Sequence, residues 1–234
     1  MGVFLTAEWR NLAILNYAVD PSLLQPHVPP GTELDFFEGK TYISLVGFRF
    51  LKTRVLGIPI PFHRDFDEVN LRFYVRRLIG TELRRGVVFF REIVPKRAVA
   101  AVARLAYGEN YVALPMQHRI SKDSAEYRWR HRGAWNSIRV QAAGGAALAA
   151  GGSLEHGSLE HFITEHYWGY SHRYEYNVQH PSWNVRLANA ARFEGDPAFY
   201  GPEFAATLER EHDSAVLAEG SAITVCRPSR LPSR

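Results

Sequence analysis

One cysteine, Cys226, and two methionines are the only sulfur-bearing residues in this chain of 234. A single thiol excludes an internal disulfide and leaves no cysteine cluster for zinc or iron–sulfur, so a reducing cytoplasm is the expected compartment. Long hydrophobic runs are missing too: no stretch reaches the roughly 20 apolar residues of a membrane span. The opening MGVFLTAEWR lacks the basic leader, apolar core and cleavage site of a secretory signal. GxGxxG, GxSxG and P-loop patterns do not occur, and no bound cofactor is expected. Excess charge of one sign is also lacking, with 28 basic residues against 24 acidic and a net charge of +4. The pairs Arg76-Arg77 and Arg84-Arg85 flank apolar runs and build no continuous basic stripe. The expected partner is a small molecule, with no nucleic acid and no membrane; a homo-oligomer stays open.

What is present suits a β-rich domain. Hydrophobic residues make up 46% and charged residues 22%, an ordinary globular balance. We expect one domain over residues 1–228, with 229–234 a frayed basic tail. Leu12 to Val19 reads as a strand, and Asp20-Pro21 opens a short proline-limited turn of helix. Strands follow over Leu34 to Phe37, Tyr42 to Phe50 and Lys52 to Leu56, with turns at Glu38-Gly39 and Gly57. Tyr111 to Ile120 and Glu126 to Arg132 read as further strands. Val140 to Gly152, rich in Ala and Gly, is a loop or weak edge, followed by a tandem GSLEH pair. Ser158 to Trp168 is a helix capped by Ser158 and ended by Gly169. Ala215 to Cys226 reads as a strand pair turning at Glu219-Gly220.

Three segments carry candidate chemistry. FDEVNLRFYVRR alternates, with Leu71, Phe73 and Val75 on one face and Asn70, Arg72 and Tyr74 on the other. The second face is either solvated or a polar cavity wall that fixes an anionic or carbonyl ligand. Arg173 to His180 alternates likewise, and His180 is a hydrogen-bonded structural group or a proton-transfer group. The pairs Glu155-His156, Glu160-His161 and Glu165-His166 invite a metal reading. A spacing of five turns about 140° per step on a helix, so the pairs do not share a face, and no metal is expected.

The third segment is Arg85 to Tyr111, RGVVFFREIVPKRAVAAVARLAYGENY, a strand feeding a helix. Pro95 suits the first helical position and Gly108 the residue past the end. Lys96 and Arg97 then sit in the first turn, where the helix dipole disfavours cations. A lysine crowded in this way loses its proton readily and can attack a carbonyl to form a Schiff base; a solvated surface pair is the alternative.

Arg91, Glu92, Pro95, Lys96 and Arg97 resemble the segment of acetoacetate decarboxylases that holds the Schiff-base lysine. Fewer residues separate the Arg-Glu pair from the proline here, and Arg97 replaces a second lysine. Arg10 before LAILNYAVD resembles that family's pocket arginine, which implies a site for a substrate carboxylate. Glu68 and Glu92 are the candidates for its catalytic glutamate. EWRNLAILNYAVDPSLLQPHVPPG, FDEVNLRFYVRR, PKRAVAAVARLAYGENY, SLEHFITEHYWGY, HPSW and LAEGSAITVCRP together resemble the YqjF-like bacterial family, domain of unknown function 2071. That resemblance implies an α+β fold with a curved, barrel-like antiparallel β-sheet around a cavity and a few flanking helices. It leaves two readings: a Schiff-base enzyme acting on a small oxo-acid or other carbonyl compound through Lys96, and a non-catalytic protein binding an apolar or anionic ligand.

Overall fold

The structure, a computed structural model, describes residues 2–143 and 156–232. Strand β1 (Val3–Val19) leads through helix α1 (Pro21–Leu24) to β2 (Glu33–Leu34). Asp20 caps α1 by accepting from the Ser22 N–H at 2.8 Å, with Pro21 at the helix start. Then come β3 (Thr41–Val55), β4 (Ile58–Pro59), β5 (Phe66–Ile79), β6 (Glu82–Val94), helix α2 (Arg97–Tyr107), β7 (Tyr111–Ala113), β8 (Met116–Ile120), β9 (Ser124–His131) and β10 (Ala134–Ala142). The remaining elements are α3 (Leu159–Thr164), β11 (Trp168–Tyr170), β12 (Tyr174–Gln179), β13 (Val185–Glu194), α4 (Ala205–Glu209), β14 (Ser214–Cys226) and β15 (Ser229–Arg230).

All the strands join one sheet in the order β15-β12-β11-β6-β5-β3-β1-β14-β13-β10-β9-β8, with β2, β4 and β7 attached at β5, β3 and β6. Most pairings are antiparallel. Two are not: β6 runs parallel to β7 and to β11. Helix α2 is the crossover that a parallel β6–β7 pair requires. The sheet is therefore curved, as expected, with two parallel pairings in an otherwise antiparallel order, and it is not a closed barrel. A short pairing of β12 with β14, Val178 to Val225 and Gln179 to Thr224, links its two arms.

Each face of the central strands packs against its own core, as period-two alternation dictates. On one face Val69, Leu71, Phe73 and Val75 meet Tyr127, Trp129 and Ile138 from the β8–β10 arm. On the other, Leu12, Ile14, Val46 and Phe48 meet Val87, Tyr176, Val178 and Trp183, and this second face carries the cavity. Neither face of β5 is solvated over its first ten residues.

Several elements differ from their sequence-based expectation. Ser158 caps α3 through its hydroxyl, as expected, but the helix ends at Thr164, and Gly169 lies in β11, where the backbone pairs with β6. Pro95 precedes α2, and Lys96 is the N-cap with Arg97 first in the helix, because Lys96 keeps extended dihedrals. Gly108 closes α2 in the left-handed region at φ 68°. The expected tail is partly ordered: Ser229–Arg230 pair with β12 and Leu231 is buried. The Ala/Gly-rich segment beyond 143 and the first GSLEH copy, apart from His156, lie outside the described residues.

The expected turn at Glu219-Gly220 is instead a kink within one continuous strand paired with β1. Gly220 has φ 78°, and a Cβ there would lie 2.1 Å from the Trp9 carbonyl oxygen. Gly220→Ala combines strain with a backbone clash, so it should cost about 2 kcal/mol or more. The check is a drop in Tm of at least about 4 °C by circular dichroism.

Candidate active site

The second face of the sheet encloses a cavity of about 230 Å³. Its walls are mainly apolar, with Trp9, Leu12, Phe48, Val87, Tyr176 and Trp183 among them. The exposed residues Ile60 and Val102 mark its mouth, between the β4–β5 loop and α2. Polar side chains concentrate on one wall, where β5 contributes Glu68, Asn70 and Arg72 from alternate positions.

A bulge supplies the next group. Leu71 pairs with Arg91 while Arg72 pairs with Phe89, so Phe90 is an extra residue in β6. Val87 and Phe89 line the cavity, and strict alternation would have sent Arg91 there. The extra residue resets the alternation, and Glu92 enters the cavity in its place. Arg91 points to the other core, where it donates to the Phe199 carbonyl and lies over the Phe199 ring. Crossover helix α2 then returns the chain so that Tyr111 lies beside Glu92, and Glu109, two residues earlier, reaches the same wall.

Three carboxyl groups are thus taken out of water together, with Glu68 and Glu92 each 2% exposed and Glu109 6%. Glu68 is the best supported, accepting from Asn70 Nδ2 at 3.0 Å and from the Tyr111 hydroxyl at 2.9 Å. Burial nevertheless raises it to about 7, against the lowering effect of those donors and of Arg72. Glu109 accepts from the Tyr176 hydroxyl at 3.0 Å, and burial raises it to about 8. Glu92 is pushed well above the usual carboxylate range by burial first, and then by the charges of Glu109 and Glu68. Among the described residues Glu92 Oε2, Asn70 Oδ1 and Arg72 Nε are buried without a hydrogen-bond partner. Such atoms are costly to leave unmatched, and all three belong to side chains that line the cavity. The wall thus combines a Glu92 carboxyl whose neutral form is favoured by burial and by the neighbouring acids with a Glu68 group raised to about 7. No three His, Cys, Asp or Glu side chains among the described residues converge as a metal ion would need.

Five of the nine residues singled out in the sequence line the cavity: Glu68, Asn70, Arg72, Glu92 and His180. The His180 ring stacks on Trp183 at 4.5 Å, its Nδ1 lies 2.9 Å from the Pro181 carbonyl, and burial lowers its pKa. Tyr74 sits just outside the lining, with its hydroxyl 2.6 Å from Ser44 Oγ and its ring 4.7 Å from His166. Lys96 is half-buried at the start of α2 and Arg97 is exposed; neither lines the cavity. Arg10 is held by Glu8 at 3.0 Å and is also outside it. The chain has four lysines, Lys40, Lys52, Lys96 and Lys122, all described, and none lines the cavity.

Glu109, Tyr111, Tyr176 and His166 complete the wall and were not picked out from the sequence. Glu109 lies in GEN directly after a helix-ending glycine, which reads as a solvated turn. Its period-two relation to Tyr111 was the one usable signal. His166, read only within the Glu-His pairs, is buried with Nε2 3.2 Å from Asp35 Oδ2. Burial lowers its pKa to about 4, so it is neutral near pH 7. Burial acts to raise the Asp35 carboxyl, but its hydrogen bonds from His166 and Arg85 outweigh that and hold it low.

The curved mixed sheet matches the fold of solved acetoacetate decarboxylase-like enzymes. The acetoacetate decarboxylase of Legionella pneumophila superposes with a TM-score of 0.70 at 12% identity, covering 99% of this chain and 88% of that one. The enduracididine biosynthesis enzyme MppR, in a structure with pyruvate bound, gives 0.68 at 11% identity over 99% and 91%. The sequence places the chain more narrowly: it belongs to the DUF2071 family, described as an uncharacterized conserved protein, which matches residues 6–222. The uncharacterized protein YqjF of Bacillus subtilis is 28% identical over 190 residues, covering 78% of this chain and 75% of that protein.

The buried acids fix a sign for pH dependence. Above the ordinary glutamate value of 4.5 the unfolded chain releases protons that the folded chain still holds. Stability therefore falls as pH rises from there through the raised values. Glu92→Gln removes one such proton, so its Tm relative to wild type should be at least about 3 °C more favourable at pH 8 than at pH 5. An equal difference at both pH values would mean that Glu92 is ionised in the native state.

Proposed function

We propose that the chain binds a small, predominantly apolar carbonyl compound non-covalently in the cavity, with the carbonyl oxygen against the polar wall. The observation that carries this reading is the set of unmatched buried groups in an otherwise apolar enclosure. The protonated Glu92 carboxyl and Arg72 Nε are donors that lack acceptors, and a carbonyl oxygen would satisfy them. Size agrees: a cavity of roughly 150 Å³ accepts benzene, so about 230 Å³ suits a somewhat larger molecule. Pyruvate, in the MppR structure that holds it, shares the carbonyl group with such a ligand but is an anion.

An imine on Lys96 is the competing reading, favoured by the fold shared with acetoacetate decarboxylase. In it Arg97 would keep Lys96 neutral and Arg10 would hold a substrate carboxylate. The position of Lys96 at the helix cap, outside the cavity lining, and the pairing of Arg10 with Glu8 weigh against it.

Thermal shift across small ketones and oxo-acids, each paired with a hydrocarbon of matching shape, separates the two. Ketones should raise the Tm of wild type and of Lys96→Ala alike, and Glu92→Leu should lose the preference for the ketone. Borohydride reduction in the presence of the same compounds should leave Lys96 without added mass. An adduct on Lys96 that disappears in Lys96→Ala would replace non-covalent binding with the imine reading.

A further inference from the structure

We infer that Glu68 and Glu92 act as a base and acid pair that interconverts the keto and enol forms of the bound carbonyl compound. This rests on the binding reading above and goes beyond it by assigning a reaction. The two residues lie on neighbouring antiparallel strands. Glu92 pairs directly with Asn70, which makes Glu68 its diagonal neighbour on the same face, at roughly 7–8 Å. That spacing is between residue positions; both side chains enter the same cavity, so one carbonyl compound can meet both.

The environments of the two carboxyls differ in the way that acid and base roles require. Glu68 is held by two donors, Asn70 Nδ2 and the Tyr111 hydroxyl, which favour its carboxylate and fix its orientation. Glu92 Oε2 is buried without a hydrogen-bond partner among the described residues, because the nearby Tyr111 hydroxyl donates to Glu68, and it is left to meet a ligand oxygen. The other charged or titratable groups lining the cavity are Arg72 from β5, Tyr107 at the end of α2, Glu109 and Tyr111 after it, His166 before β11, Tyr176 from β12, His180 after it and His63 at the mouth. Arg72 favours the Glu68 carboxylate and Glu109 disfavours ionisation of Glu92, so both act in the direction of the assigned roles.

In the forward step the Glu68 carboxylate takes a proton from the carbon next to the carbonyl. The C–H electron pair becomes the new C=C bond, the carbonyl π pair moves to oxygen, and oxygen takes the Glu92 proton. Glu68 ends protonated and Glu92 ionised; the reverse step restores both and returns the ketone. No oxidant, reductant or further reactant enters.

The experiment is proton exchange of cyclohexanone and butan-2-one in D2O, followed by NMR, alongside thermal shift with the same two ketones. Wild type should exchange the hydrogens beside the carbonyl faster than buffer, with a rate that rises and then falls with pH. Glu68→Gln should keep the thermal shift and lose at least about a hundredfold in exchange, with partial recovery in Glu68→Asp. Glu92→Gln should flatten the high-pH fall. Should the Glu68 variants fail to fold, the wild-type pH profile and Glu92→Gln still decide. A thermal shift without exchange above buffer overturns the acid–base pair and leaves binding intact, whereas no thermal shift with either ketone overturns the binding reading and this one with it. Loss of exchange that persists with fresh ketone after borohydride treatment and removal of the reagent, together with added mass on a lysine, would overturn it in favour of an imine.

Discussion

Removing three carboxyl groups from water is the constraint around which this structure is arranged. An isolated ionised carboxylate in an apolar interior is costly by many kcal/mol, and in practice such a group keeps its proton. Glu68, Glu92 and Glu109 show graded solutions, with two donors, none in the resolved hydrogen-bond network, and one. Tyr111 and Tyr176 are held in place by this task, since each phenol donates to a glutamate and contributes its ring to the wall. Their own acidity is suppressed, by burial first and then by the nearby carboxyls.

A rigid frame keeps these groups in register. The β8–β10 arm packs on the opposite face of β5, with Trp129 and Tyr127 fully buried. Ion pairs tie the ends of β5 and β6 to the rest of the molecule: Arg77 to Glu175 at 2.5 Å and Arg85 to Asp35 at 2.7 Å. The arginine pairs that look like a scattered solvated surface in the sequence are thus partly committed to holding the sheet together.

The fold was readable where local rules decide. The β5 alternation, the Ser158 cap and the Gly108 end all follow from single-element chemistry. Asn70 and Arg72 were recognisable because they share a face within one strand, and Glu68 through the family resemblance. What escaped depends on pairing between strands. A bulge at Phe90 and a kink at Gly220 have no local signature strong enough to read, and the entry of Glu109 follows from a crossover that turns an apparent surface turn inward. The same limit applies to Lys96: its crowding by Arg97 is visible in the sequence, whereas the direction of the cavity is a tertiary fact.

The extra residue at Phe90 also has an electrostatic side. Arg91 and Glu92 are adjacent in the chain and opposite in charge, and which of them faces the cavity is set by the bulge rather than by their identity. Loss of the bulge without loss of a residue, by a one-residue slip of the segment after Phe89 along β5, would exchange a buried acid for a buried guanidinium, whereas deleting Phe90 would leave Glu92 opposite Asn70. The charge presented to the cavity at this point is therefore a property of strand register as much as of residue identity.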